Sequence, residues 1–522
     1  MKHFQPEKHL DSIASPTTNR QWRSWPYLAL LVASIVACFT FRLIPSPTSD
    51  RAIFVSVAEY LNKGSRLYVD VYDNKDPLFY YAVSSQRLFG VTGEYVFELS
   101  MALITALSAC DIARSLGSVG KLHQKALLIA VPFLVTGAFW VPGDTHLPAT
   151  AMALLCCSLY FRKRFLLSGS LMAILLFTKL IMFPLPVVFC FASELSSSRE
   201  RRLRTAAQNL GLIVVGFIFS AVSILAILAS RGELFGYLQA QQNNILYANS
   251  VLIDSYGFAG SLGSHLRTVF TDQASVVSVV VVPFAGLILA ICVAIDRGEP
   301  QVRSFAVATL ATFLFSLLIL AIMGLWRHHL QIMYFGQTLT LIALAAMLPS
   351  QLRRRSMPIT MISVISLAVL LGGMPSFRHY IDSPAAVVKK LASASQDSAE
   401  SQSFRLASTN GDAFARLGQN SNVIPHGAPM DKLACPDFHQ YLFYSSERLE
   451  NILDCISMAP TLVIDPSFRR YEQPPNWLPI EADKQRIIDS WNHFVSAGET
   501  MVRTRFSCKR FDQIRICSST AL

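Results

Sequence analysis

Long apolar runs alternate with short polar breaks along most of the chain. Eleven such runs occur, at about 27–44, 95–116, 126–142, 147–161, 165–178, 180–195, 208–230, 275–295, 304–325, 330–348 and 358–374. Each approaches the roughly 20 apolar residues that a helix needs to cross a bilayer, and the pattern predicts a polytopic α-helical membrane protein. The break at 45–94 is different, because its apolar residues recur at helical spacing among polar ones. Phe54, Val57, Ala58 and Leu61 follow Asp50, with Gly64 as a stop. Asp76 stands where an N-cap would, Pro77 takes the first helical position, and Leu78 to Phe89 runs to Gly90. Two helices too short and too polar to span are expected there, lying along the membrane surface.

After the last run come about 148 residues, enough for a separate core. Ala385–Ala394 reads as helix, the Ser/Gln-rich stretch to Ser403 as linker, and Thr461–Ile464 and Ile514–Cys517 as strands. The expected organisation is a tail at 1–26, a transmembrane domain at 27–374 with its loop at 45–94, and a small α/β domain at 375–522.

Composition agrees with this picture. With 52% hydrophobic and 15% charged residues and a mean hydropathy of +0.40, the chain is too apolar for a soluble globular protein. The net charge of +11 then reads as topology, because Lys and Arg gather in short cytoplasmic loops. Lys2, Lys8, Arg20 and Arg23 precede the first run. Arg162-Lys163-Arg164, then Arg199, Arg201, Arg202 and Arg204, then Arg353-Arg354-Arg355 fall in breaks of the same parity. The amino terminus is therefore expected inside and, after eleven spans, the C-terminal domain outside. No nucleic-acid motif competes for these charges. Residues 1–44 read as a retained first helix, since the leader is long and no Ala-x-Ala site follows.

Ten cysteines divide between the two regions. Cys38, Cys110, Cys156, Cys157, Cys190 and Cys292 lie in apolar runs, where a thiol behaves as a small hydrophobe. Cys435, Cys455, Cys508 and Cys517 lie in the C-terminal domain, an even number expected to be oxidised outside the cell. The nine-residue separation of Cys508 and Cys517 across a hairpin favours Cys508–Cys517 with Cys435–Cys455.

Polar chemistry gathers at the outer mouths of the runs. Asp50 opens the first external loop, and Asp70, Asp73, Lys75 and Asp76 follow in it. Asp144 and His146 stand in the turn Pro142-Gly143-Asp144-Thr145-His146. Lys179 interrupts Leu176-Phe177-Thr178-Lys179-Leu180, and a charge within an apolar run is costly enough to suggest a role. An amide-rich break at 231–274 carries Gln239, Gln241, Gln242, Asn243 and Asn244, and Trp326 leads into Arg327, His328 and His329.

The run from Asp50-Arg51 through Ala58-Glu59, then Gly64 to Tyr68, then Lys75-Asp76-Pro77-Leu78, resembles the first external loop of the GT-C superfamily. It is similar to the protein O-mannosyltransferase and lipid A aminoarabinose transferase branch, where an Asp-Glu pair opens the loop and Lys-Pro-Pro closes it. Leu167-Ser168-Gly169-Ser170 through Thr178-Lys179, followed by Pro184, looks like that branch's "Gly…Thr-Lys…Pro" segment, and His328-His329 matches loosely the basic-aromatic start of a late helix. The likeness covers about 27–350. This chain has Arg51 for the usual Glu, Asn74 for the Glu of the aminoarabinose branch, and Asp76 for the first Pro.

The resemblance implies a GT-C-like bundle and transfer of a sugar, with inversion, from a polyprenyl phosphate to a glycolipid, polysaccharide or protein. The implied setting is the external face of a bacterial inner membrane. Asp50 would be the base that takes the acceptor's proton, with Asp144 as a second active-site acid and His146 beside it. Lys75 would balance the charge growing on the departing phosphate. Lys179, Arg327, His328 and His329 are further phosphate contacts. Blander roles stand beside these: Asp50 as a helix cap, Lys75 as a snorkelling lysine, Lys179 as the anchor of a tight turn. Asp70, Asp73 and Asp76 read mostly as turn and capping residues, one of them serving the acceptor or a divalent metal; metal use is open. Two other classes compete. A transporter or flippase of lipid-linked glycans predicts charges within spans rather than at their mouths, and an O-antigen ligase or polymerase predicts a large external loop between late spans.

Overall fold

The protein is described here by a computed structural model. It describes residues 50–71, 73, 75–116, 127–128, 130–132, 134–135, 144–197, 203–248, 282–296, 300–323, 331–347, 414–417, 435, 446–464, 468–471, 481–511 and 514–520. The expected spans at 27–44 and 358–374, the helix Ala385–Ala394, and Arg327, His328 and His329 lie outside the described residues.

The two helices expected in the first loop are present. α1 is Asp50–Asn62 and α2 is Pro77–Arg87. Gly64, at φ +94°, turns the chain after α1 in a conformation that costs glycine little. The helices bury Phe54, Val57 and Ala58 against Phe79, Tyr80 and Val83. Phe54 meets Phe79 edge-on with ring centroids 4.8 Å apart, the geometry that aromatic quadrupoles favour. α3, Gly90–Ser115, follows at once. Arg87 donates to Glu59 at 2.7 Å and to Glu94 at 2.8 Å, fastening α1, α2 and α3 together.

The bundle continues with α4 (His146–Phe161), α5 (Phe165–Leu176), a 3-10 turn (Leu180–Met182), α6 (Pro184–Ser197) and α7 (Leu203–Ser230). Then come α8 (Leu234–Ala248), α9 (Val282–Asp296), α10 (Pro300–Met323) and α11 (Met333–Met347). Several begin before their apolar runs, at Gly90, Leu203 and Pro300, because hydropathy marks the stretch that suits lipid whereas the backbone keeps its helix into the polar margin. Among the described helices, those at 92–115, 203–230 and 300–320 are long and apolar enough to cross a membrane unaided.

Packing explains how short helices stay in register. α5 lies against α7, and α10 packs against α6, α9 and α11. Gly169 and Gly216 set the α5–α7 contact: a Cβ on Gly169 would fall 1.9 Å from the Ile213 carbonyl oxygen, and one on Gly216 2.1 Å from that of Leu166. Such close approach of backbones supplies dispersion contact where lipid offers no hydrophobic drive. At one end of the bundle the Asp111 carboxylate accepts from Arg162 Nε and Nη2, both at 2.6 Å, and from Ser158 Oγ at 2.5 Å. The antiparallel hairpin of α4 and α5 puts this basic turn at the end opposite the 3-10 turn.

The C-terminal region is a four-stranded sheet with helices. β1 (Phe414–Leu417), α12 (Ser446–Ser457), β2 (Thr461–Ile464), α13 (Glu481–Arg505), β3 (Phe506–Phe511) and β4 (Ile514–Ser519) follow in order. The sheet order is β1-β2-β4-β3, with β1 parallel to β2 and the other pairs antiparallel. Both strands expected from sequence, β2 and β4, are there. Trp491 is buried and donates from Nε1 to the Arg469 carbonyl at 3.0 Å. Cys435 is joined to Cys455 and Cys508 to Cys517, the expected pairs. The core of this domain belongs to the same apolar cluster as Phe54, Tyr80, Phe177 and Tyr237, so domain and first loop lie at the same end of the bundle.

Candidate active site

The first loop, the turn after α5 and the middle of α8 converge on one carboxylate. The Leu78 amide donates to the Phe177 carbonyl at 3.0 Å, which lays the start of α2 against the 177–180 turn. Asp76 stands just before α2, as expected, yet makes no capping hydrogen bond. Its carboxylate turns outward from the helix instead: Oδ2 accepts from the Leu180 amide at 2.9 Å and Oδ1 from Gln241 Nε2 at 3.2 Å. The Leu78 amide, a donor such a cap would use, is already taken by the Phe177 carbonyl.

Asp76 is buried, and burial pushes its carboxyl up from the usual 3.8 to about 6, against the pull of the Leu180 amide and of the charges on Lys179 and Lys75. The charges of both lysines expected as phosphate contacts are thus felt at this one acid. Asp73 caps the same loop, its Oδ1 accepting from the Lys75 amide at 3.2 Å. Asp70 is a surface residue paired with Arg66 at 3.0 Å, and that partner holds its carboxyl below the usual range.

Tyrosines close the cluster. Tyr68, in the left-handed region at φ 64°, donates from its hydroxyl to the Lys75 carbonyl at 2.6 Å, and its ring lies 5.6 Å from that of Tyr237. Burial raises the phenol of each, with Asp76 adding to the effect. Gly236 allows this contact, since a Cβ there would lie 2.8 Å from both Cβ and O of Tyr68. Glu233, fully buried, accepts from the Leu67 amide at 3.2 Å, from Arg231 Nε at 3.0 Å and from the Tyr81 hydroxyl. It anchors the loop to the α7–α8 junction.

Asp144 and His146 form a second acidic centre. Asp144 Oδ1 accepts from the Thr145 amide at 2.6 Å and from Thr145 Oγ1 at 3.1 Å, while Oδ2 lies 2.8 Å from His146 Nδ1. All three residues are buried. α4 starts at His146 and packs against the 3-10 turn, which puts this pair at the same end of the bundle as Asp76. Asp50 is the first residue of α1; its side chain is outside what is described. Among the described residues, no group of three or more His, Cys, Asp or Glu side chains is placed to hold a metal ion.

Of the residues singled out in the sequence, Lys75, Asp76 and Lys179 belong to this cluster, whereas Tyr68, Glu233 and Tyr237 were not expected in it. Gln241 was visible as part of an amide-rich stretch without a partner. The one local signal was Gly236 beside Tyr237, which marks a close backbone approach.

No family model matches the chain, and no curated protein matches it. Solved structures do. ArnT from Cupriavidus metallidurans bound to undecaprenyl phosphate superposes with a TM-score of 0.51 at 11% identity, covering 96% of this chain and 99% of that one. The arabinofuranosyltransferase AftD from mycobacteria gives 0.44 at 13% identity over 96% of this chain and 40% of its own, a looser likeness that adds nothing to the assignment. The chain thus has the fold of ArnT throughout the length the two share.

Proposed function

We propose that the protein transfers a sugar from a polyprenyl phosphate to a glycolipid, polysaccharide or protein acceptor, with inversion, at the external face of a bacterial inner membrane. The observation that carries this reading is the pair of lysines, Lys75 and Lys179, acting on one buried carboxylate at the polar end of the bundle. Its fold is that of a protein bound to undecaprenyl phosphate. Neighbouring cations are what a phosphodiester needs, and more so as its ester bond breaks.

In the proposed step the acceptor oxygen or nitrogen attacks the anomeric carbon, and the bond from that carbon to the phosphate oxygen breaks. The electron pair leaves on the phosphate, where Lys75 and Lys179 balance it. The acceptor's proton passes to Asp50. Asp144, oriented by Thr145 and paired with His146, is the second acid. Arg327, His328 and His329 are assigned to the same phosphate. The basic turn at 162–164, opposite the site, supports a cytoplasmic face there.

Mass spectrometry of envelope lipids, glycans and glycoproteins with and without the gene tests this. Loss of the gene should leave one envelope component lighter by a sugar and raise the level of a polyprenyl-phosphate sugar. An unchanged envelope with unchanged lipid-linked sugars would reject the proposal.

A further inference from the structure

We propose that Glu233 is a positioning residue that staples the segment 67–81, which carries Lys75 and Asp76, to the α7–α8 junction and so holds the donor site assembled before the lipid arrives. This deepens the functional reading above and rests on it. The carboxylate meets both ends of that segment at once. Its Oε1 accepts from the Leu67 amide at 3.2 Å and its Oε2 from the Tyr81 hydroxyl, 166 and 152 positions away in sequence. Arg231 completes the group: its Nε donates to Glu233 Oε1 at 3.0 Å, and its guanidinium lies 5.1 Å from the centre of the Tyr81 ring. Burial and the neighbouring carboxylate hold the Tyr81 phenol well above its usual range, so it remains a donor at physiological pH.

The base of the staple is held from both sides. Gly232, at φ +73°, turns the chain after α7. The Glu233 amide then donates to the Leu228 carbonyl at 2.8 Å, and the Glu233 carbonyl accepts from the Tyr237 amide at 2.9 Å. α8 touches the stapled segment twice more. Tyr237 packs on Tyr68, whose hydroxyl donates to the Lys75 carbonyl at 2.6 Å, and Gln241 donates to Asp76 at 3.2 Å. Glu233 is fully buried, and a buried carboxylate is costly unless its oxygens are filled. Among the described residues, its donors are two from the segment and one from its own turn, so it is satisfied only while the segment is docked.

A staple acts through the order of the segment, which gives it a readout apart from affinity. Hydrogen exchange and binding of undecaprenyl phosphate, both on purified protein in lipid nanodiscs, test it. Glu233→Ala should speed exchange in peptides covering 66–71, leave β2 and β4 unchanged, and weaken binding about tenfold. Glu233→Gln keeps an oxygen for Leu67 and should recover most of both losses. Tyr81→Phe removes a single hydroxyl and should weaken binding roughly threefold. Adding it to Glu233→Ala should weaken binding no further, since its partner has gone. Gly216→Ala, which loosens the bundle elsewhere, should bind as wild type does at temperatures below its own midpoint. If wild type binds, Lys75→Ala loses binding, and Glu233→Ala and Tyr81→Phe both equal wild type, the staple is wrong and the functional reading stands. Additive losses from Glu233→Ala and Tyr81→Phe, or equal losses from Glu233→Gln and Glu233→Ala, overturn it too. If wild type shows no saturable binding, the functional reading fails and takes the donor role of the staple with it.

Discussion

Asp50→Asn keeps the shape of the side chain and removes its proton affinity, so turnover should fall by roughly 10²–10⁴-fold while donor binding persists. Lys75→Ala should act on both, weakening the donor and slowing departure of the phosphate. Steady-state kinetics on purified variants separates the two patterns; an Asp50→Asn enzyme with wild-type turnover would transfer the role of base to Asp144. Asp76 yields a prediction about stability. Its carboxyl is raised from 3.8 to about 6 in the folded protein, so the folded state holds the proton more tightly than the unfolded chain. Stability from this group is full below the unfolded value and is lost as pH rises through about 6, a loss of roughly 3 kcal/mol. Asp76→Asn should therefore raise the thermal midpoint at pH 8 and leave it unchanged at pH 3, measured by scanning fluorimetry in detergent. An equal shift at both pH values would show that the ionised carboxylate is not the source. The lysines were legible in the sequence because a charge at the mouth of an apolar run is conspicuous. The geometry around them was not, because Leu180, Gln241 and Glu233 lie 104, 165 and 166 positions from their partners in the first loop.

At the scale of elements, the site depends on how closely helices approach. Gly236→Ala would put a methyl group 2.8 Å from the backbone oxygen of Tyr68, so α8 must retreat from the first loop. Donor affinity should fall while the bundle stays folded, whereas Gly216→Ala, at 2.1 Å from the Leu166 carbonyl, should reduce thermal stability of the whole bundle. Comparing nanodisc binding and melting for the two variants checks this; equal losses of stability would remove the distinction. Helix positions were largely readable, because 3.6-residue periodicity and apolar length are local properties. α1, α2 and the stop at Gly64 followed the sequence closely. The capping role of Asp76 did not, since a side chain beside Pro77 finds better donors in another segment than in its own first turn.

For the whole molecule, one apolar cluster joins the C-terminal sheet to the first loop. Thiol alkylation before and after reduction should find Cys435, Cys455, Cys508 and Cys517 oxidised in protein isolated without reductant, as their pairing requires. Four thiols alkylated without reduction would place that domain in the wrong compartment. The strands β2 and β4 were legible as short stretches, yet the sheet order was not, because α13 and β3 separate β2 in the chain from its partner β4. Sugar transfer from a polyprenyl phosphate can be followed with purified protein in nanodiscs supplied with envelope lipids and glycans extracted from a strain lacking the gene. Mass spectrometry then follows both products together. Release of polyprenyl phosphate should be matched one for one by sugar gained on an acceptor, with both lost in Lys75→Ala. Wild-type protein that yields neither product, or yields them equally well as the Lys75→Ala variant, would contradict it.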